Sequence, residues 1–437
     1  MSDKQEIEYR NLFTWIFSIN YLFQGIVTSM YAVIIPIYLL KLAQEGGIAI
    51  QASDIAFLGS LITIPWAIKL FFGMITDKFS IKNWGRRRPW AVLNLSFAGV
   101  LWIILPFLVT PQNAILVFTT TGFIINLGVA FSDTALDGFI VDICPPERLG
   151  RVQGFCWGLR SVGAIAGGPL FAALIVFLNL PVQYVFIILG ISMIFSSITI
   201  NVIEEKEIKR KIKLGPSFKA IFKEGKDWKT FMFALFNNLL ADVMLVFLSL
   251  YILIQIGLVQ FTGELSLGTK DVGIYQYQAN ITMIISLGIV VGSILGGRLA
   301  DLRSRKFSVY SSLIITTVAL LLLLIPTYVV ILLFFGSIIG LALGWRHSAY
   351  AAVVSQMAKH HPDVDSTYLS VANSFTNLGS VIGLALVGVI LDLFLSFEVL
   401  IVFMALISNL TAIPFAFMDP TYYEHKLLEK SITLEKE

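Results

Sequence analysis

The sequence predicts an all-α membrane protein with 12 transmembrane helices in two pseudo-symmetric six-helix bundles. Apolar residues make up 57% and charged residues 14% of the 437, against about 45–50% and about 25% in soluble domains. The apolar residues gather in runs near the ~20 residues that cross a bilayer. A short motif also occurs twice: Gly73 and Asp77 precede Arg86, Arg87 and Arg88, and Gly297 and Asp301 precede Arg305, 224 residues later.

In chain order, six apolar runs fall near residues 12–40, 55–75, 90–109, 113–143, 152–178 and 182–202. Six more fall near 229–256, 272–299, 307–325, 328–357, 367–393 and 397–417. We number these spans 1 to 12. The expected organisation is an N-terminal bundle over 1–203, a cytoplasmic linker over 204–228, a C-terminal bundle over 229–419 and a cytoplasmic tail over 420–437. The charged linker holds a Gly215-Pro216 break, which suits a solvated or amphipathic connection along the inner leaflet.

The first ten residues hold charges and no apolar run, so no signal peptide is expected ahead of span 1. With that end inside, only Lys41 and Lys270 of the 31 basic residues fall in outer loops, and Lys69, Arg160 and Arg346 fall within spans. The bias places both termini in the cytoplasm, with the protein in the cell membrane. Cys144 and Cys156 read as small apolar filler, and the four histidines have no metal-ligand spacing. No metal, cofactor or nucleic acid is expected as a partner. The absence of G-x-x-x-x-G-K-[ST], H-E-x-x-H and G-x-S-x-G argues against ATP hydrolysis and hydrolase chemistry in this chain.

A second repeat links spans 5 and 11, where Gly158, Gly163 and Gly167 share the spacing of Ser374, Gly379 and Gly383. Small residues at such intervals let helices approach closely.

The G-x-x-x-D motif and its basic cluster, between spans 2 and 3 and again between spans 8 and 9, resemble the signature loop of the major facilitator superfamily. This copy departs from the common pattern at Ser304, where glycine is usual, and in the eight positions from Asp77 to Gly85. IPWAIKLFFGMITD with Lys69, SDTALDGFIVD from Ser132 to Asp142, ERLG at Glu147 and LLAD ending at Asp242 resemble the anhydromuropeptide permease (AmpG-type) and acetyl-CoA transporter group. Folate-biopterin carriers and cation-sugar symporters are more distant look-alikes, through Pro-Trp-x-x-Lys and GRRRPW. The resemblance implies two halves rocking about a midplane site, and its AmpG-type part implies proton symport.

A charge inside the bilayer costs at least about 2.5 kcal/mol by insertion scales, so each needs a partner or a wet cavity. Lys69, Arg160 and Arg346 stand against Asp133, Asp137 and Asp242. Asp133 and Asp137, four apart, share a face of span 4. Lys69 is four residues before Gly73, and Arg160 sits about 12 Å into span 5 at 1.5 Å per residue. These four are therefore expected to form one buried network, either a structural latch or a proton-coupling site at which Arg160 or Lys69 alternates between an aspartate and an anionic substrate.

Arg346, Trp345, Asn373, Asn377, Asp242, Asn238, Asn20, Gln24 and Arg160 are the candidate substrate-binding residues, with an Arg for a carboxylate or phosphate and a Trp as an apolar wall. Gly73, Asp77, Arg86, Arg87, Arg88, Asp142, Arg148, Gly297, Asp301 and Arg305 are the candidate gating residues. The expected molecule is a monomeric, non-enzymatic secondary transporter of a polar, anionic small solute, coupled to protons. A sugar carried in cation symport is the alternative substrate class. The alternative function is a non-transporting assembly factor or sensor of the same fold, since pigment-complex assembly proteins show related span 4 motifs.

Overall fold

The computed structural model describes residues 9–81, 84–205, 221–268, 273–361 and 365–424. Linker residues 206–220 and tail residues 425–437 lie outside the described residues. Eleven helices among those described are long and apolar enough to cross a membrane. We label the spans α1 (Asn11–Gly46), α2 (Ala52–Thr76), α3 (Arg88–Leu108), α4 (Ala114–Ile143), α5 (Pro146–Phe177) and α6 (Val182–Thr199). In the second half, α7a (Gly225–Asn237) and α7b (Ala241–Gln255) precede α8 (Ile274–Leu302), α9 (Arg305–Leu322), α10 (Val329–Ala358), α11 (Asp365–Phe394) and α12 (Phe397–Ala416). A short hairpin, β1 (Val259–Phe261) against β2 (Leu265–Leu267), joins α7b to α8.

The seventh span is not continuous. The chain leaves helical geometry at Asn238 and re-enters at Ala241. No Gly or Pro marks the place. Instead the buried amides of Asn237 and Asn238 take tertiary partners, and asparagine competes poorly for helix interior positions.

The packing separates into two compact units. One comprises the chain up to Leu42 and from Ile68 through α6. The other comprises Ala43–Ala67 and everything from α7a onward. The N-terminal part of α2 is thus packed in the second unit: Ser60 donates to the Val381 carbonyl of α11 at 2.9 Å, and a Cβ on Gly59 would sit at ordinary contact, 3.5 Å, with Leu384. The crossing point is a helix break. Pro65 removes a backbone donor, Ile68 adopts φ −93° and ψ 9°, and the helix restarts at Lys69.

The glycine repeat has a physical counterpart inside each unit. In the first, a Cβ on Gly163 would fall on the Leu22 carbonyl of α1, and one on Gly167 would press on Ile26. In the second, Gly379 and Gly383 stand in the same way against the Leu235 and Leu239 carbonyls of the α7 region. Close approach without a side chain is the reason for glycine there.

Candidate functional site: a balanced charge cluster and the helix-end carboxylates

The break at Ile68 starts a new helical segment with Lys69, whose side chain reaches two aspartates of α4. Its Nζ pairs with Asp133 Oδ2 and lies 2.9 Å from Asp137 Oδ2. Arg160 of α5 places Nη1 3.7 Å from the other Asp133 oxygen, and the Tyr21 hydroxyl of α1 donates to Asp137 Oδ1. All five side chains belong to the first unit. Two cations face two carboxylates, so the cluster carries no net charge, the condition under which buried ions are tolerated. The four charged residues grouped from spacing alone do meet. No sequence signal marked the role of Trp157, whose ring lies 4.9 Å beneath the Arg160 guanidinium.

Exposure differs sharply within the cluster. The Asp133 side chain is 0% exposed and that of Asp137 37%. Asp137 is therefore the carboxylate that solvent or a solute reaches first.

At the motif loop, Arg86 Nη2 and Arg87 Nε donate to Asp142 Oδ2 at 2.6 and 2.8 Å. Arg88 donates instead to the Ile203 and Trp84 carbonyls, both at 3.0 Å. The side chain of Asp77 lies outside the described residues, and Arg148 and Asp301 are exposed. Gly73 and Gly297 occupy matching places, each with room for a Cβ at ordinary contact with Thr134 or Ser348.

The structure adds a paired feature absent from the sequence reading. Glu205, just past α6, accepts from the backbone N–H groups of Arg87 at 2.8 Å and Arg88 at 2.9 Å. Glu424, just past α12, accepts from the Lys306 N–H at 2.7 Å and the Ser304 hydroxyl at 2.7 Å. Each half thus carries a carboxylate, supplied from beyond its last span, on the first amides of its third span. Those amides have no intrahelical acceptor, and the helix dipole favours an anion there. Arg305 donates to the neighbouring Tyr423 carbonyl.

In the second unit, Arg346 is 2% exposed. It donates to Asn237 Oδ1 at 3.0 Å, to the Phe236 carbonyl at 3.2 Å and to the Thr411 hydroxyl. The Phe236 carbonyl stands where α7a ends, so a cation stabilises a helix C-terminus in the protein interior. Asn238 donates to Ser380 at 2.6 Å, and Trp345 turns toward α9, donating to Ser308 at 3.0 Å. Asn377 donates to the Trp66 carbonyl near the end of the N-terminal part of α2, at 3.0 Å, and Asn373 is exposed. In the first unit Asn20 donates to the Ile16 and Ser196 carbonyls, and the fully buried Gln24 side-chain amide has no hydrogen-bond partner among the described residues. The side chain of Asp242 lies outside the described residues. The candidate substrate-binding residues thus divide between the two units.

His360 and His361, which carry no metal-ligand spacing in the sequence, are half-buried, with His361 Nε2 3.0 Å from the fully buried Asp227 and its ring stacked on Tyr368. Among the described residues no group of three or more His, Cys, Asp or Glu side chains is placed to hold a metal.

Known proteins resemble this chain in sequence and in fold. Its sequence matches the Major Facilitator Superfamily over residues 17–269 and 265–433. A protein of Arabidopsis thaliana described as folate-biopterin transporter 4 is 24% identical over 196 residues, 44% of this chain and 38% of that protein. A Rickettsia bellii protein described as the transporter AmpG 1 is 32% identical over 106 residues, 23% of this chain and 26% of that protein. The matched stretches thus span less than half of either relative. The crystal structure of a mutant of the nucleoside transporter NupG superposes with TM-score 0.68 at 13% identity, covering 93% of this chain and 99% of that one. A bacterial homologue of the human lysosomal transporter Spinster gives 0.58 at 13% identity, covering 92% and 96%. Identity that low establishes the fold alone, but with the sequence match running across both halves, the chain belongs to the Major Facilitator Superfamily.

Proposed function

We propose that this chain is a secondary active transporter of a polar, anionic small solute, working in proton symport by alternating access. The single observation that carries this reading is the neutral cluster of Lys69, Arg160, Asp133 and Asp137. When all four are ionised, an added anion has no excess positive charge to meet. A proton on Asp137, the more exposed carboxylate, leaves the cluster at +1 and frees part of the cationic surface of Lys69 and Arg160. A monoanion then restores neutrality, so proton and anion favour one another's binding and move together. The relatives support a polar solute: one is described as a folate-biopterin transporter, and the fold neighbour NupG as a nucleoside transporter. Both termini are taken to face the cytoplasm, in the cell membrane, from the positive-inside bias.

The test is uptake into proteoliposomes of carboxylate and phosphate solutes, with and without an inward-acid pH gradient. Gradient-driven accumulation is expected in the parent protein and its loss in Asp137→Asn. Retained gradient-driven accumulation in a normally folded Asp137→Asn protein would overturn proton coupling at this cluster.

A further inference from the structure

The glycines of α5 fall into two sets. Gly163, Gly167 and Gly168 are pressed against α1, where a Cβ would meet Leu22, Ile26 or Val33. At Gly154 and Gly158 a Cβ would meet nothing within 4 Å. A glycine within a helix costs about 1 kcal/mol relative to alanine. For the first set, close helix packing offsets that cost; for the second, packing supplies no reason.

Gly154, Trp157, Gly158 and Ser161 lie at i, i+3, i+4 and i+7 and so share one face. On it the Trp157 side chain is 46% exposed. Its ring is fixed from two sides, by the Arg160 guanidinium at 4.9 Å and by the Tyr21 ring at 6.2 Å in an edge arrangement. Arg160 is tied in turn to Asp133 at 3.7 Å. This face of α5 thus places two bare glycines beside a half-exposed indole that has a cation against its ring. A guanidinium and two carboxylates beside it are costly to turn toward lipid, so this face belongs to a wet path.

We propose that this face of α5 selects solutes in which the anionic group is attached to a flat conjugated ring: the ring stacks on Trp157 over the bare backbone at Gly154 and Gly158, and the anion meets Arg160. This rests on the proposed role of Arg160 in taking the substrate anion. The indole is half free and rigidly held, so it offers a planar surface with little ordering left to pay for. A branched side chain at 158 would stand where the ring lies.

The test uses matched anions with and without the flat ring: uridine 5′-monophosphate against ribose 5-phosphate, and nicotinate against cyclohexanecarboxylate. Binding to the full-length purified protein is measured by titration calorimetry. In at least one pair the flat member is expected to bind about tenfold tighter, within the range of aromatic stacking. Trp157→Leu is expected to bring that ratio below about threefold, and Trp157→Phe to keep most of it. Gly158→Val, which has space to fold, is expected to weaken the flat member selectively and serves if Trp157→Leu fails to fold. Equal binding within both pairs, or an unchanged ratio in the folded variants, overturns the proposal and leaves the anion reading standing. Failure of all four anions to bind overturns both.

Discussion

Replacing Lys69 by methionine keeps the apolar stem and removes the cation that bridges Asp133 and Asp137. Asp133, with a side chain 0% exposed, is left with Arg160 at 3.7 Å, while Asp137 keeps the Tyr21 hydroxyl and its partial exposure. Removing one partner of a buried ion pair costs about 3–5 kcal/mol, and the surviving Arg160 contact places this case toward the lower end. Arg87→Met is the control from the motif loop, because Asp142 retains Arg86 at 2.6 Å. Its loss includes the charge-assisted hydrogen bond from Arg87 to Asp142, about 1.5–3 kcal/mol. Thermal melting of the purified proteins should rank Lys69→Met below Arg87→Met. The double variant Lys69→Met with Asp133→Asn should recover about 0.5–3 kcal/mol of the loss by restoring charge balance. A Lys69→Met protein as stable as Arg87→Met, or a double variant no more stable than the single, would refute the account of this cluster.

Three other outcomes are expected. Glu205→Ala and Glu424→Ala should each lower the melting temperature, by a comparable amount and by the roughly 0.5–2 kcal/mol of a lost helix N-cap, since the two carboxylates hold equivalent amides in the two halves. His361→Ala should destabilise by about 1–3 kcal/mol by stranding the buried Asp227, and adding Asp227→Asn should recover part of it, measured by the same melting curves. Gly163→Ala should cost about 1–3 kcal/mol through its clash with the α1 backbone, whereas Gly158→Ala, facing open space, should be neutral or stabilise by up to about 1 kcal/mol.

The charge cluster was legible before the structure because two rules leave little choice. Residues four apart share a helix face, and a charge within the bilayer must find a partner. Asp133, Asp137, Lys69 and Arg160, at similar depth and of balanced sign, therefore had to meet. Arg346 shows where such reasoning stops. Its depth followed from its position in span 10, but the direction of its side chain did not, and the α10 packing turns it toward Thr411 and the end of α7a. The helix caps were hidden for another reason: Glu205 and Arg87 are 118 positions apart, and nothing local in either marks the other.

By itself the amino-acid sequence determined the membrane class, the twofold repeat and the composition of the charge cluster. Those depend on composition, on helical period and on the cost of charge in lipid, all of which act locally along the chain. Only the tertiary structure decided that α2 breaks at Ile68 and divides between two packing units, that α7 opens at its paired asparagines, and that Trp157 stands half exposed above two bare glycines. Each depends on which neighbour occupies the space beside a residue, a property of the packed chain that no single segment carries.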